Sequence, residues 1–251
     1  MAREAGILMP ITSLPSPYGI GTLGKEAREF ADFLKKAGQK IWQILPVGPT
    51  SYGDSPYQSF STFAGNPYMI DLDTLKEEGL LTQEDIDKGY WGDSEFEIDY
   101  ATIYWYRFDV LRVAFENFKK NCDRKPFTAF KRKNSKWLKN YALYMAVKKN
   151  FDMKAWTEWP DEEIKLREPE AIKKYERKFK DEIDFWSFLQ YKFYEQWEAF
   201  RKYVNDLGIK ILGDMPIYVA MDSADTWANP EIFWFVSYNS SVIQRNPIRI
   251  D

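Results

Sequence analysis

The chain has 251 residues, 35 Lys+Arg against 38 Asp+Glu, one Cys and no His, for a formal net charge of -3. That length suits one large domain or two small ones and is ample for a sizeable core. The charge balance argues against an electrostatic nucleic-acid binder. One cysteine excludes an intramolecular disulfide, and the absence of histidine excludes a Ser-His-Asp triad, a Cys-His pair and a His-ligated zinc site. Acid–base chemistry therefore falls to Asp, Glu, Lys, Tyr or Cys122. The 10 Trp, 16 Tyr and 18 Phe suit sugar faces, nucleobases and protein interfaces, or a heavily aromatic core. No apolar run approaches the roughly 20 residues that span a bilayer, and Met1 to Leu8 is too short for a signal-peptide apolar region. The chain reads as soluble and cytoplasmic.

Gly6 to Ile11 is a short apolar run that reads as a buried strand. It opens into a loop dense in turn residues, Ser13-Leu-Pro-Ser-Pro-Tyr-Gly-Ile-Gly-Thr-Leu-Gly24. Lys25 to Ala37 has a helical period, with Phe30, Phe33, Leu34 and Ala37 on one face and Gly38 as the stop. Lys40 to Val47 reads as a second buried strand, ending in a Gly/Pro/Ser/Tyr loop from Gly48 to Pro56. Strand, loop, helix and strand predict a right-handed βαβ unit with parallel strands. Functional loops in such units lie beyond the carboxyl ends of the strands.

From about Asp73 to Lys180 the pattern turns to charged, aromatic-rich helical stretches, among them Tyr100 to Lys120, Ser135 to Phe151 and Glu170 to Lys180. The short basic runs Lys131-Arg-Lys133 and Lys148-Lys149 read as solvated faces. Asp181 to Asn205 predicts a long helix with Phe185, Leu189, Phe193, Trp197, Phe200 and Val204 along one stripe, ended by Gly208. Ile209 to Val219 reads as a third strand running into a loop. Beyond Phe235 the period is lost, and Val242 to Ile250 reads as a frayed strand or a disordered tail. The chain thus divides into two βα units (1–72), a helical insertion (73–180), a helix with the third strand (181–235) and an atypical tail (236–251).

Two of the strand-end loops carry carboxylates: Asp54 in the second, Asp214 and Asp222 in the third. Asp214 falls inside an apolar strand on this reading, where a carboxylate is costly unless hydrogen-bonded or paired. It reads as a site residue at a strand top, or as a structural Asp satisfied by an Arg or backbone amides. Asp222 and Asp225, flanking Ser223, read as helix caps. Tyr52-Gly-Asp-Ser-Pro-Tyr-Gln-Ser59 combines rings to stack on with donors and acceptors for hydroxyls, which suits a sugar subsite or simply a polar turn. Gly19-Ile-Gly-Thr-Leu-Gly24 has the spacing Gly-x-Gly-x-x-Gly. Pro15 and Pro17 oppose the tight turn a dinucleotide site needs, and no acidic residue closes the next strand in the ribose position.

Three blocks, Thr12-Ser-Leu-Pro-Ser-Pro-Tyr-Gly-Ile-Gly-Thr-Leu-Gly24, Trp42-Gln-Ile-Leu-Pro-Val-Gly-Pro49 and Tyr52-Gly-Asp-Ser-Pro-Tyr-Gln-Ser-Phe-Ser-Thr-Phe-Ala-Gly-Asn-Pro-Tyr68, resemble the amino-terminal half of amylomaltases. These are the 4-α-glucanotransferases, or disproportionating enzymes, of glycoside hydrolase family 77. Gly213-Asp-Met-Pro-Ile-Tyr-Val-Ala220 with Asp222-Ser-Ala-Asp-Thr-Trp-Ala-Asn-Pro230 resembles the first shared region of their barrel. The resemblance runs from about residue 5 to 234. It implies an α/β fold, a TIM (β/α)8 barrel with helical insertions, of which about the first three strands are present.

It further implies a retaining mechanism, in which an Asp nucleophile and a Glu acid/base sit about 5–5.5 Å apart and a sugar hydroxyl accepts the glycosyl group. The implied substrate is an α-1,4-glucan or maltooligosaccharide; no metal or organic cofactor, nucleic acid or membrane is implied. Asp214 matches the first-region Asp of the donor site, Ser55 and Tyr57 match positions beside the cleaved bond, and Tyr52 matches an aromatic of a second glucan groove. Arg249-Ile-Asp251 matches the Arg-x-Asp of the nucleophile block without the His-Phe that follows it, which makes Asp251 a candidate nucleophile. Later strands of the family are missing, so the carboxyl-terminal half is an expected partner. The alternative is a catalytically incomplete glucan-binding fragment.

Overall fold

The computed structural model describes residues 3–50, 53–94, 97–234 and 244–245. In chain order the elements are β1 (Gly6–Leu8), α1 (Lys25–Lys36), β2 (Ile41–Gln43), α2 (Leu72–Glu77), α3 (Gln83–Asp87) and α4 (Tyr100–Asn121). They continue with α5 (Lys125–Lys133), α6 (Ser135–Asn150), α7 (Glu162–Lys165), α8 (Pro169–Lys178), α9 (Lys180–Asp206), β3 (Lys210–Leu212), α10 (Ala224–Ala228), β4 (Phe233–Trp234) and β5 (Gln244–Arg245). Two compact units result. The first comprises Met1–Val47, Asn66–Pro126 and Leu189–Met215; the second comprises Gly48–Gly65, Phe127–Phe188 and Pro216–Asp251.

The first unit is built on a parallel sheet in the order β1-β2-β3. Gly6, Ile41 and Lys210 are in register at one end, and Leu8, Gln43 and Leu212 at the other. The chain therefore leaves all three strands at one edge of the sheet. The strands are shorter than the apolar runs suggest. Pro10 has no N–H to give a ladder, and Ile11–Ser13 winds into a 3-10 helix. Nor is β1 the buried strand expected: Ile7 and Leu8 are 39% and 54% exposed, because among the described residues β1 has β2 as its one neighbour in the sheet.

Trp42 is the centre of this unit. It is fully buried, and its ring meets Phe30 of α1 at 4.9 Å and Phe200 of α9 at 5.6 Å, both edge-on. Its indole N–H donates to the Met9 carbonyl at 2.8 Å, the partner a buried indole requires. The buried stripe of α1 is Ala27, Ala31 and Leu34, spaced four and three apart. Phe33, expected on that face, is exposed, since it lies off the stripe. Gly38, at φ 73°, ends the turn after α1 in the left-handed region. The α1 and α9 surfaces are tied by the Tyr203 hydroxyl, which donates to Asp32 at 2.7 Å.

A polar network braces the same unit. The buried Asp71 caps α2 through Thr74 and accepts the Thr22 hydroxyl at 3.0 Å. Its backbone is matched by Gln196 of α9, which accepts the Asp71 N–H at 2.7 Å and donates to its carbonyl at 3.1 Å. Arg107, fully buried in α4, donates to the Ile70 carbonyl. Burial pushes its pKa down to about 10, against the charge of Asp71.

The second unit packs around α6, whose residues Tyr141 to Lys148 are all buried. Tyr144, Trp159 and Trp227 meet one another at 5.4 to 5.8 Å. The elements between Asp73 and Lys180 are helices. β4 and β5 pair antiparallel; the rest of the run from Val242 to Ile250 lies outside the described residues.

Replacing Trp42 by Ala removes the ring that joins β2 to both helices. We expect about 3–5 kcal/mol of lost stability, the usual cost of deleting a buried aromatic, read from the urea midpoint.

Candidate active site

β3 ends at Leu212, whose carbonyl takes the last ladder bond, from the Ile44 N–H at 2.9 Å. Asp214 stands two residues beyond. It is exposed, and its Oδ1 accepts the Met215 N–H at 2.8 Å. The carboxylate is therefore not inside an apolar strand, as the sequence pattern suggested. The pairing stops before it, and the residue lies at an exposed position past the end of β3.

Ser55 and Tyr57 lie on the loop that follows the β2 run, in the second unit. A bridge between Thr50 and Ser59 and the Phe60 N–H donating to the Pro49 carbonyl at 3.3 Å close the base of this loop. Gly53 and Asp54 turn its tip with φ of 94° and 57°. Asp54 is a rare non-glycine in that region, and partial burial raises its pKa. The Ser55 hydroxyl accepts the Tyr57 N–H at 3.3 Å. That bond brings these two predicted residues together, with the Tyr57 side chain exposed. Tyr52 and Asp251 lie outside the described residues.

Asp222 and Asp225 do not cap α10. Ser223 does, its hydroxyl accepting the Thr226 N–H at 3.3 Å. A side chain at the residue before the first helical turn reaches those amides, whereas Asp222 precedes that position and Asp225 lies within the first turn. Asp222 accepts the Tyr144 hydroxyl and the Lys148 ammonium, both at 2.5 Å, and the Trp156 N–H at 3.2 Å. Lys148 is 1% exposed, so it is not part of a solvated basic face. Its ammonium also donates to the Lys154 carbonyl at 3.0 Å. Burial pushes its pKa down, against the pull of Asp222. Burial, then the charge of Asp222, holds the Tyr144 hydroxyl well above the ordinary tyrosine value. The sequence signal for this cluster is the spacing of Tyr144 and Lys148, four apart on one helix face, with Lys149 turned outward.

In the first unit, a cleft of about 530 Å³ is lined by Pro15, Pro17, Glu26, Trp91 and Asp93, among others. The glycines of the loop after β1 answer to close packing. A Cβ on Gly19 would strike the Trp91 carbonyl, one on Gly21 the Ile11 carbonyl, and one on Gly24 the Asp71 carboxylate. This accounts for the Gly-x-Gly-x-x-Gly spacing without a phosphate. Among the described residues no group of three His, Cys, Asp or Glu side chains is placed to hold a metal ion, and no helix is long and apolar enough to cross a membrane.

The family model described as 4-alpha-glucanotransferase matches residues 9–239. This chain belongs to that family. It is 52% identical over 225 residues to a 4-alpha-glucanotransferase of Clostridium butyricum, a match covering 90% of this chain and 46% of the relative. It is 49% identical over 231 residues to one from Streptococcus pneumoniae, covering 92% and 46%. Among solved structures, an amylomaltase from Streptococcus agalactiae in complex with acarbose superposes with a TM-score of 0.90 at 44% identity, covering 94% of this chain and 48% of that one. The chain spans about half the length of the relatives it matches. Its β1-β2-β3 sheet is part of the (β/α)8 barrel of the 4-alpha-glucanotransferase family.

The raised pKa of Tyr144 has a pH consequence. The folded state keeps the phenol proton where the unfolded chain loses it near pH 10, so stability from this group is complete below about pH 10 and falls above it. Tyr144→Phe should flatten the decline in urea midpoint between pH 9 and pH 11, and an unchanged slope would refute the assignment.

Proposed function

We propose that the protein is a 4-α-glucanotransferase that moves α-1,4-glucan segments between maltooligosaccharides by retaining double displacement. This reading places it in starch or maltodextrin metabolism in the cytoplasm. The observation that carries it is the superposition on an acarbose-bound amylomaltase over 94% of the chain. The exposed Asp214 carboxylate just past the end of β3 supports it, because barrel enzymes hold their reacting groups at the carboxyl ends of strands. On this reading Asp214 accepts hydroxyls of the donor sugar, which strengthens its hold as charge develops on the ring. Ser55 supplies a hydroxyl contact, and the exposed Tyr57 ring supplies a face for the adjacent glucose. Asp251 is the candidate nucleophile, and the carboxyl-terminal portion seen in the relatives supplies the remaining barrel strands and the acid/base.

A second reading, glucan binding without transfer, is favoured by the 46% coverage of the relatives. Under it the 251-residue chain binds maltoheptaose and leaves it unchanged.

Full-length protein incubated with maltotriose should yield glucose and longer maltodextrins; the absence of both defeats the transferase reading. Asp214→Asn should lower kcat/KM by about a hundredfold or more, the scale of a lost transition-state contact. Tyr57→Ala should act mainly on KM.

A further inference from the structure

We infer that Asp225 is a positioning residue for glucan binding, because it sets the loop that carries Ser55 and Tyr57. The inference rests on the functional reading above and adds a residue that never touches substrate. Thr62 donates to a single Asp225 carboxylate oxygen twice, from its backbone N–H at 2.7 Å and its hydroxyl at 3.0 Å. One residue earlier, the Ala224 N–H donates to the Phe60 carbonyl at 2.8 Å. The stretch Phe60 to Thr62 is thereby held against the first turn of α10. Phe60 is buried; its ring lies 5.0 Å from the Lys148 ammonium and 6.5 Å from the Tyr144 ring. Ser61 points inward and accepts the Phe63 and Ala64 N–H groups at 3.1 and 3.3 Å.

The two carboxylates flanking the α10 cap divide the work. Asp222 fastens the start of α10 to α6 through Lys148 and Tyr144, and Asp225 fastens the loop stem to α10. From that stem the Thr50–Ser59 bridge leads to the tip with Ser55 and Tyr57. A charged acceptor makes both bonds to Thr62 stronger than a neutral one would. Small displacements of a binding group are costly to affinity and rate, so the stem fixes the subsite.

The test uses the full-length protein. Asp225→Ala should raise the KM for maltotriose about tenfold with kcat within about twofold, and backbone amides of residues 53–61 should exchange faster with solvent deuterium. Asp225→Asn keeps an acceptor oxygen for Thr62 and should stay within about threefold of the parent, a rescue that a catalytic carboxylate would not allow. Thr62→Val removes one of the two bonds, should fall between them, and serves where Asp225→Ala does not fold. Unchanged KM and exchange in Asp225→Ala and Thr62→Val would overturn the inference, as would equal loss of kcat in Asp225→Ala and Asp225→Asn. Should the parent transfer no glucan, the functional reading falls, and the exchange rates alone still decide whether Asp225 sets the loop.

Discussion

The indole of Trp42 joins four segments of the first unit at one point. It is the middle residue of β2, in register with Ile7 and Ile211, and its ring is wedged between Phe30 and Phe200. Its N–H is taken by the Met9 carbonyl, one residue past the end of β1. A buried indole nitrogen left unpaired would cost about 1–3 kcal/mol, so this bond fixes where β1 stops and its loop begins. Parallel register carries the limit across the sheet. The ladder closes at the Leu212 carbonyl, and Asp214 follows two residues on, exposed and outside the strand. The position of the proposed donor-site carboxylate is in this sense a consequence of how one tryptophan is packed.

The second unit solves a different problem: it buries a lysine. Taking an ammonium out of water is expensive, and Lys148 meets that cost with the Asp222 carboxylate, a backbone carbonyl and two aromatic faces. Breaking such a group apart strands a charge, so the cluster is all-or-none and holds α6, Trp156 and the start of α10 in one arrangement. Its position matters because α10 is also where the stem of the loop carrying Ser55 and Tyr57 is fastened. The aromatic wealth of the composition is used in the same unit, in the mutual packing of Tyr144, Trp159 and Trp227. Those rings form core.

Much of the fold was legible in the sequence, and the misreadings have physical causes. Helical periods placed α1, α4, α6, α8 and α9 within a residue or two, because each buries a continuous apolar face. The strands were overextended: apolar runs report burial tendency, whereas a strand exists only where a neighbour accepts its hydrogen bonds, and here that is three residues each. Phe33 misled because two large side chains near the α1 stripe do not both face inward. Lys148 misled because a basic pair in sequence says nothing of which side of the helix each residue takes. Asp214 stood out by its place at a strand end and the Tyr52–Ser59 loop by its rings and hydroxyls, and the resemblance of their blocks gave Asp214, Ser55 and Tyr57 their roles, whereas the Thr62–Asp225 contact joins residues 163 positions apart and has no local signature.

On the proposed function, Asp214 presents its carboxylate to an α-glucan. A crystal structure of the full-length protein with bound acarbose tests this most directly. Sugar hydroxyls should lie within hydrogen-bonding distance of the Asp214 carboxylate. Acarbose bound in the barrel with Asp214 untouched would contradict it.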